Sequence, residues 1–172
     1  MDPTIRRSIR YNSRGYLNDP PALIHPNILV GAGEMLTPAF VKKWEITHVI
    51  NCAQEADSPT WFKQTNVDKY YCINAVDSLH VNILAWYPDF KTVLKTFIRE
   101  PESRKIFIHC QCGINRSAFL ALMYVCDVFR FPFEPTEFAL MRQRPCALTN
   151  GSFRQQVFDA LSKADGPKSG LE

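Results

Sequence analysis

Residues 105–117 read Lys-Ile-Phe-Ile-His-Cys-Gln-Cys-Gly-Ile-Asn-Arg-Ser, and the fold turns on how this stretch is read. Lys105 to His109 is an apolar, β-branched run bounded by Pro-Glu-Ser-Arg before and a glycine-containing segment after, which predicts a strand. Ser117 to Phe129 is apolar nearly all round, which predicts a helix enclosed by other elements. The loop between them therefore lies beyond the carboxyl end of a strand and at the start of a helix, where α/β sheets bind ligands. A cysteine followed six positions later by an arginine is expected about 0.4 times by chance in a chain of this composition. Requiring His109 before the cysteine and Gly113 three after it lowers that expectation to roughly one in two thousand.

The chemistry of the loop follows from its residue types. A turn wrapped between Cys110 and Arg116 can aim successive backbone N–H groups inward as a nest for a tetrahedral oxyanion, and Gly113 permits the tight path. The helix starting near Ser117 adds the positive end of its dipole, and Arg116 can grip two phosphate oxygens in a fork. The same field favours Cys110 as a thiolate, which makes it a nucleophile below a bound phosphorus.

Working outward, apolar periodicity predicts further strands at Ile28–Val30, Thr47–Cys52 and Lys69–Ala75. Helices are predicted over Thr37–Trp44 and, after a short turn at Ile83, from Pro88 onward, with Phe90, Leu94 and Phe97 on one face. Another is expected over Glu134–Arg142, and a last one is capped by Asn150, with Phe153, Val157 and Leu161 stacked at intervals of four. Strands alternating with helices give an α/β sandwich: a central, mostly parallel sheet of about four or five strands flanked by helices.

Composition narrows the alternatives. With 172 residues, 46% hydrophobic and 22% charged, the chain reads as one soluble domain. The longest apolar run, Ala118 to Cys126, is far short of the roughly 18 residues a membrane span requires. The first fifteen residues carry arginines with no apolar stretch behind them, so no secretory signal is expected there. Six cysteines are too few for a disulfide scaffold, which points to the cytoplasm or nucleus. Arg6, Arg7, Arg10 and Arg14 against Asp2 account for the whole net charge of +3. The body is thus neutral, poor evidence for a broad nucleic-acid surface, and residues 1–24 read as a basic arm, either frayed or a dimer or partner contact. Residues 25–164 are the expected domain and 165–172 a flexible tail. Cys72, Cys126 and Cys146 lack metal-ligand spacing, so neither metal nor cofactor is expected.

The loop resembles the signature of the cysteine-dependent protein tyrosine phosphatase superfamily, HCxxGxxR followed by Ser or Thr, matched throughout His109–Ser117. From His25 to Lys163 the chain is similar to the compact dual-specificity branch, through THVINC at 47–52, VDS at 76–78 and RPCALTNGSF at 144–153. That resemblance implies a phosphocysteine on Cys110, transition-state stabilisation by Arg116 and assistance to thiolate departure by Ser117. The loop residues Gln111, Cys112, Gly113, Ile114 and Asn115 would hold the phosphate alongside Arg116. Leaving-group departure also needs a proton. Asp77, following the predicted strand 69–75 in the segment where family members carry their acid, is the candidate, with a solvated turn aspartate as the alternative. Asp57 and Asp68 do not follow a strand end.

The companions carry lesser roles. His109 is expected to support the loop, and Asn115 either bridges backbone groups or tolerates a left-handed turn. Cys112 fills space or acts as a regulatory thiol. Cys52, ending a strand beside that of Cys110, is either an inert buried thiol or a redox partner for it, as resolving cysteines are in some relatives. The chain is too short for the deepening aromatic loop of the large tyrosine-specific members, so a shallow pocket open to phosphotyrosine, phosphoserine and phosphothreonine of proteins is expected. Uncharged Gln111 and Ile114 argue against polyphosphorylated lipids. Two alternatives stay open: an RNA 5′-triphosphatase or diphosphatase, for which Gly113 to Arg116 matches GxNR, and a phosphate-reading pseudophosphatase.

Overall fold

In the computed structural model, which describes residues 18–164, five strands form one sheet in the order β1-β2-β5-β3-β4. They are β1 (Ala22–His25), β2 (Ile28–Ala32), β3 (Ile46–Asn51), β4 (Tyr70–Cys72) and β5 (Lys105–Cys110). β2, β5, β3 and β4 are mutually parallel, and β1 folds back antiparallel on β2. The helices are α1 (Pro38–Trp44), α2 (Thr60–Thr65), α3 (Tyr87–Arg99), α4 (Arg116–Asp127), α5 (Phe133–Gln143) and α6 (Gly151–Ala164).

Alternation along the strands divides the apolar residues into two layers of core. Ile106 and Ile108 of β5 face the larger core, while Phe107 joins Leu29 and Val49 in the smaller one. The smaller core is closed by Phe40, Val41 and Trp44 of α1 and by Phe62 of α2. The larger is closed by α3, through Phe90, Leu94 and Phe97, and by α4 and α6. Every residue of α4 from Ser117 to Cys126 is buried, so this helix is the axle of the fold. At roughly 1.5–3 kcal/mol per large apolar side chain, Phe90, Phe107, Phe119 and Phe153, all fully buried, are major contributors to stability.

The helix starts follow local chemistry. Thr37 caps α1, its hydroxyl accepting the Phe40 N–H at 3.1 Å, and Pro38 suits the first turn. The short turn before α3 spans Ile83–Trp86 and is capped by Asn82. α6 starts after Asn150, whose Oδ1 accepts from the Phe153 N–H at 3.1 Å.

Three local differences have physical reasons. The strand expected over 69–75 is regular only from Tyr70 to Cys72, because Asn74 turns left-handed at φ 57° and interrupts the ladder, although the Ala75 N–H still donates to the Cys52 carbonyl at 3.1 Å. α2 is six residues long with no side-chain cap, so it leaves no start signal. β1 is four residues behind Pro20-Pro21, too short for a periodicity to register. The sheet thus takes in Ala22 to Ile24, which the sequence reading leaves in the basic arm. The remainder of that arm up to residue 17, and the expected tail at 165–172, lie outside the described residues.

At its edge of the sheet, opposite that of β4, β1 has a side-chain neighbour in place of a further strand. The Leu23 N–H donates to Gln143 Oε1 at 2.8 Å, and Gln143 Nε2 donates to the Leu23 carbonyl at 2.9 Å.

Candidate active site

The parallel strands point their carboxyl ends to one edge, and the chain returns there after β3, β4 and β5. Cys110 is the last residue of β5 and Arg116 the first of α4. Between them the loop carbonyls are claimed from outside. Arg144, fully buried just past α5, donates from Nη2 to the Cys112 carbonyl at 2.7 Å and from Nε to that of Gly113 at 2.8 Å. The Leu148 N–H takes the Ile114 carbonyl at 2.7 Å. Across a trans peptide the following N–H points the opposite way, so those of Gly113, Ile114 and Asn115 face the hollow of the loop. Gly113 has φ +64°, and a Cβ there would lie 2.3 Å from the Gly31 carbonyl carbon, so only glycine fits.

Cys110, Gln111, Cys112, Ile114, Asn115 and Arg116 line a pocket of about 370 Å³ whose rim is completed by Gln54, Val76 and Asp77. Cys110 is 2% exposed, and the buried Ser117 hydroxyl donates to its Sγ at 3.3 Å. Arg116 reaches the Ala75 carbonyl through Nη1 at 3.2 Å, tying it to the segment that carries Asp77. Its Nε is buried with no hydrogen-bond partner among the described residues. A buried donor left unmade is costly, and a phosphoryl oxygen lying between the guanidinium and the loop amides would satisfy it.

His109 is fully buried, and burial pushes its imidazole down to about 4. Neutral at physiological pH, it has one N–H. Nδ1 faces the Cys110 carbonyl at 3.0 Å, which can only accept, so Nδ1 carries the proton and Nε2 accepts from the Ser58 hydroxyl at 2.6 Å. His109 therefore holds the loop's entry and faces β3's following loop. Asn115 has φ −120°, so of its two expected roles the left-handed one does not apply; its amide bridges neighbouring segments instead.

Cys52 follows β3, and its N–H donates to the His109 carbonyl at 2.7 Å, one strand across from Cys110. Burial pushes its thiol well up, and it is a free cysteine, as is Cys110. Cys112 is half-buried, and burial raises its thiol too. Asp57 accepts from the Gln54 N–H at 3.1 Å in a local cap, and neither it nor Asp68 lines the pocket. Arg144, Asn150, Ser58 and Gln54 have no place in the sequence reading of the site. Asn150 is legible as a helix cap only, and nothing around Arg144 marks it as buried.

Residues 28–163 match the family model of the dual specificity phosphatase catalytic domain. The chain belongs to the dual specificity phosphatase family. It is 30% identical over 137 residues to a probable dual specificity protein phosphatase of Dictyostelium discoideum, a match that covers 78% of this chain and 32% of that one. Human dual specificity protein phosphatase 16 is 26% identical over 164 residues, covering 90% of this chain and 24% of its own length. The chain thus spans about a third or less of these two relatives. Among solved structures, the human tyrosine phosphatase-like serine/threonine/tyrosine-interacting protein aligns with a TM-score of 0.70 at 20% identity, covering 84% of this chain and 97% of that one. Human DUSP28 aligns with a TM-score of 0.70 at 14% identity over 84% and 95% of the two chains. At such identities the likeness is one of fold. No helix among the described residues of this family member is long and apolar enough to cross a membrane, and no cluster of potential metal ligands occurs among them.

Proposed function

We propose that this chain hydrolyses phosphate monoesters of protein tyrosine, serine and threonine through a phosphocysteine. What carries this reading is the buried Arg116 Nε, a donor with no partner, in the same pocket as Cys110 and Asp77. A dianionic ester seated on the inward N–H groups and the guanidinium brings its phosphorus above Sγ. The thiolate attacks in line, the S–P bond forms as the ester P–O bond breaks, and Asp77 delivers a proton to the departing oxygen. Water, deprotonated by the Asp77 carboxylate, then attacks phosphorus. The S–P electron pair returns to sulfur, where the Ser117 hydroxyl already donates.

Substrate class is supported by the loop's side chains. Gln111 and Ile114 are uncharged, so the pocket offers a single guanidinium suited to one phosphate rather than several. The body's balanced charge gives little attraction to a nucleic-acid backbone, and Asn115 is committed to protein contacts. The test compares the protein with Cys110→Ser on a phosphotyrosine peptide, a phosphothreonine peptide and 5′-triphosphorylated RNA. Phosphate release from both peptides, abolished by Cys110→Ser while inorganic phosphate still binds, is the expected result. Release from the RNA alone moves the chain to the RNA 5′-phosphatases, and no release from any substrate makes it a phosphate reader.

A further inference from the structure

Asp77 is exposed on a loop, the setting in which a carboxylate is usually free to rotate, yet both of its oxygens are held. Oδ2 accepts from Asn115 Nδ2 at 3.1 Å and Oδ1 from Asn150 Nδ2 at 3.0 Å. Neither amide can turn over. Asn115 Oδ1 accepts the backbone N–H groups of Thr149 and Asn150 at 2.9 and 2.8 Å, so a reversed amide would set N–H against N–H. Asn150 is fixed in the same way: Oδ1 caps α6 by accepting from Phe153, while Nδ2 also reaches the Ser78 carbonyl at 3.3 Å. Both asparagines are buried, at 8% and 6% exposure.

We infer that Asn115 and Asn150 are positioning residues that form a two-amide clamp, fixing the Asp77 carboxyl relative to the loop that holds Cys110. The inference rests on the reading of Asp77 as the acid and deepens it. Asn115 lies inside the phosphate loop, between Ile114 and Arg116, so the proton donor takes its register from the element that seats the phosphate as well as from β4. The clamp is compatible with the chemistry. Each carboxyl oxygen has two lone pairs; the amides use one on each, leaving a site for the proton. When the ester bond breaks, the proton goes to the departing oxygen and the O–H electron pair stays on the carboxylate. The clamp holds both carboxyl oxygens in one register while the proton passes to the departing oxygen, so what it contributes is the orientation of the donor.

A leaving group that is a weak acid needs the donor most, which gives a signature a purely structural residue would not show. Asn150→Ser retains a capping side chain for α6 but is too short to reach Asp77. Its kcat/KM, which reports the step that breaks the ester bond, should fall about tenfold on phenyl phosphate and less than threefold on p-nitrophenyl phosphate. Added to Asp77→Ala, it should change kcat/KM on phenyl phosphate less than twofold, because the group it positions is gone. Asn115→Ala, followed beside a thermal melt, should give the same leaving-group pattern. Equal losses on both esters, or a tenfold loss that persists in the Asp77→Ala background, overturn the clamp while leaving the acid in place. An Asp77→Ala variant as active as the parent on phenyl phosphate removes the acid assignment and the clamp together. Hydrolysis of p-nitrophenyl phosphate that survives Cys110→Ser removes the proposed function itself, and the clamp with it.

Discussion

His109, next to Cys110, is buried and spends both ring nitrogens on protein contacts. Its folded value of about 4 lies below the ordinary 6.5 because burial disfavours the imidazolium, so between those values the unfolded chain binds a proton the folded chain refuses. Stability is therefore full above about pH 6.5 and falls as the pH drops toward 4, by up to roughly 3 kcal/mol from this one residue. Denaturant titrations at pH 7 and pH 4.5 should show that loss, and His109→Gln should reduce it. At this scale the sequence is eloquent about Cys110 and Arg116, whose spacing is local, and silent about the pairing of Asn150 with Asp77. Seventy-three positions separate that pair, and no periodicity spans them.

At the scale of elements, the loop from Cys110 to Arg116 is shaped as much from behind as from within. β5 and α4 announce themselves, one by β-branched residues and the other by an unbroken apolar run, and the loop between them is legible for that reason. Arg144 is not, since an arginine before a proline reads as the end of a surface helix. Its guanidinium is fully buried and holds the carbonyls of Cys112 and Gly113. Arg144→Met keeps much of the bulk and removes every donor of the guanidinium, at about 1–3 kcal/mol for each buried carbonyl left unpaired. A melt should show the lost stability, and calorimetry should show inorganic phosphate binding at least tenfold more weakly, since peptides released on the outer side no longer aim their N–H groups inward. Unchanged phosphate affinity would mean the loop keeps its shape without the guanidinium.

Across the whole molecule, the strand order puts β5 between β2 and β3, so that Cys110 emerges at the middle of the sheet with a neighbouring strand on either side. The mixed sheet and its flanking helices follow from alternating β and α patterns, but the first strand does not, because four residues behind two prolines carry too little pattern. Its place matters. Arg144 Nη1 donates to the carbonyls of Asp19 and Pro20 at 2.8 and 3.2 Å, and Asp19 Oδ2 accepts the Cys146 N–H at 2.8 Å. The segment leading into β1 is thus bound to the same guanidinium as the loop after β5. Deleting residues 1–24, the arm as the sequence reading bounds it, should lower the melting temperature by several degrees and weaken phosphate binding. A variant that melts and binds like the full chain would make that segment dispensable.

The Gln143 amide, laid against Leu23, acts as a counterfeit strand: one side chain offers the donor and the acceptor that a visiting polypeptide would bring. An exposed border of this kind invites other chains to zip onto it, and many proteins deter them with charge or proline. Here the invitation is already answered at its central residue, by a group too small to be extended further. On this border the groups a neighbouring chain would need at Leu23 are already taken, so the short, apolar strand β1 is a poor template for intermolecular pairing.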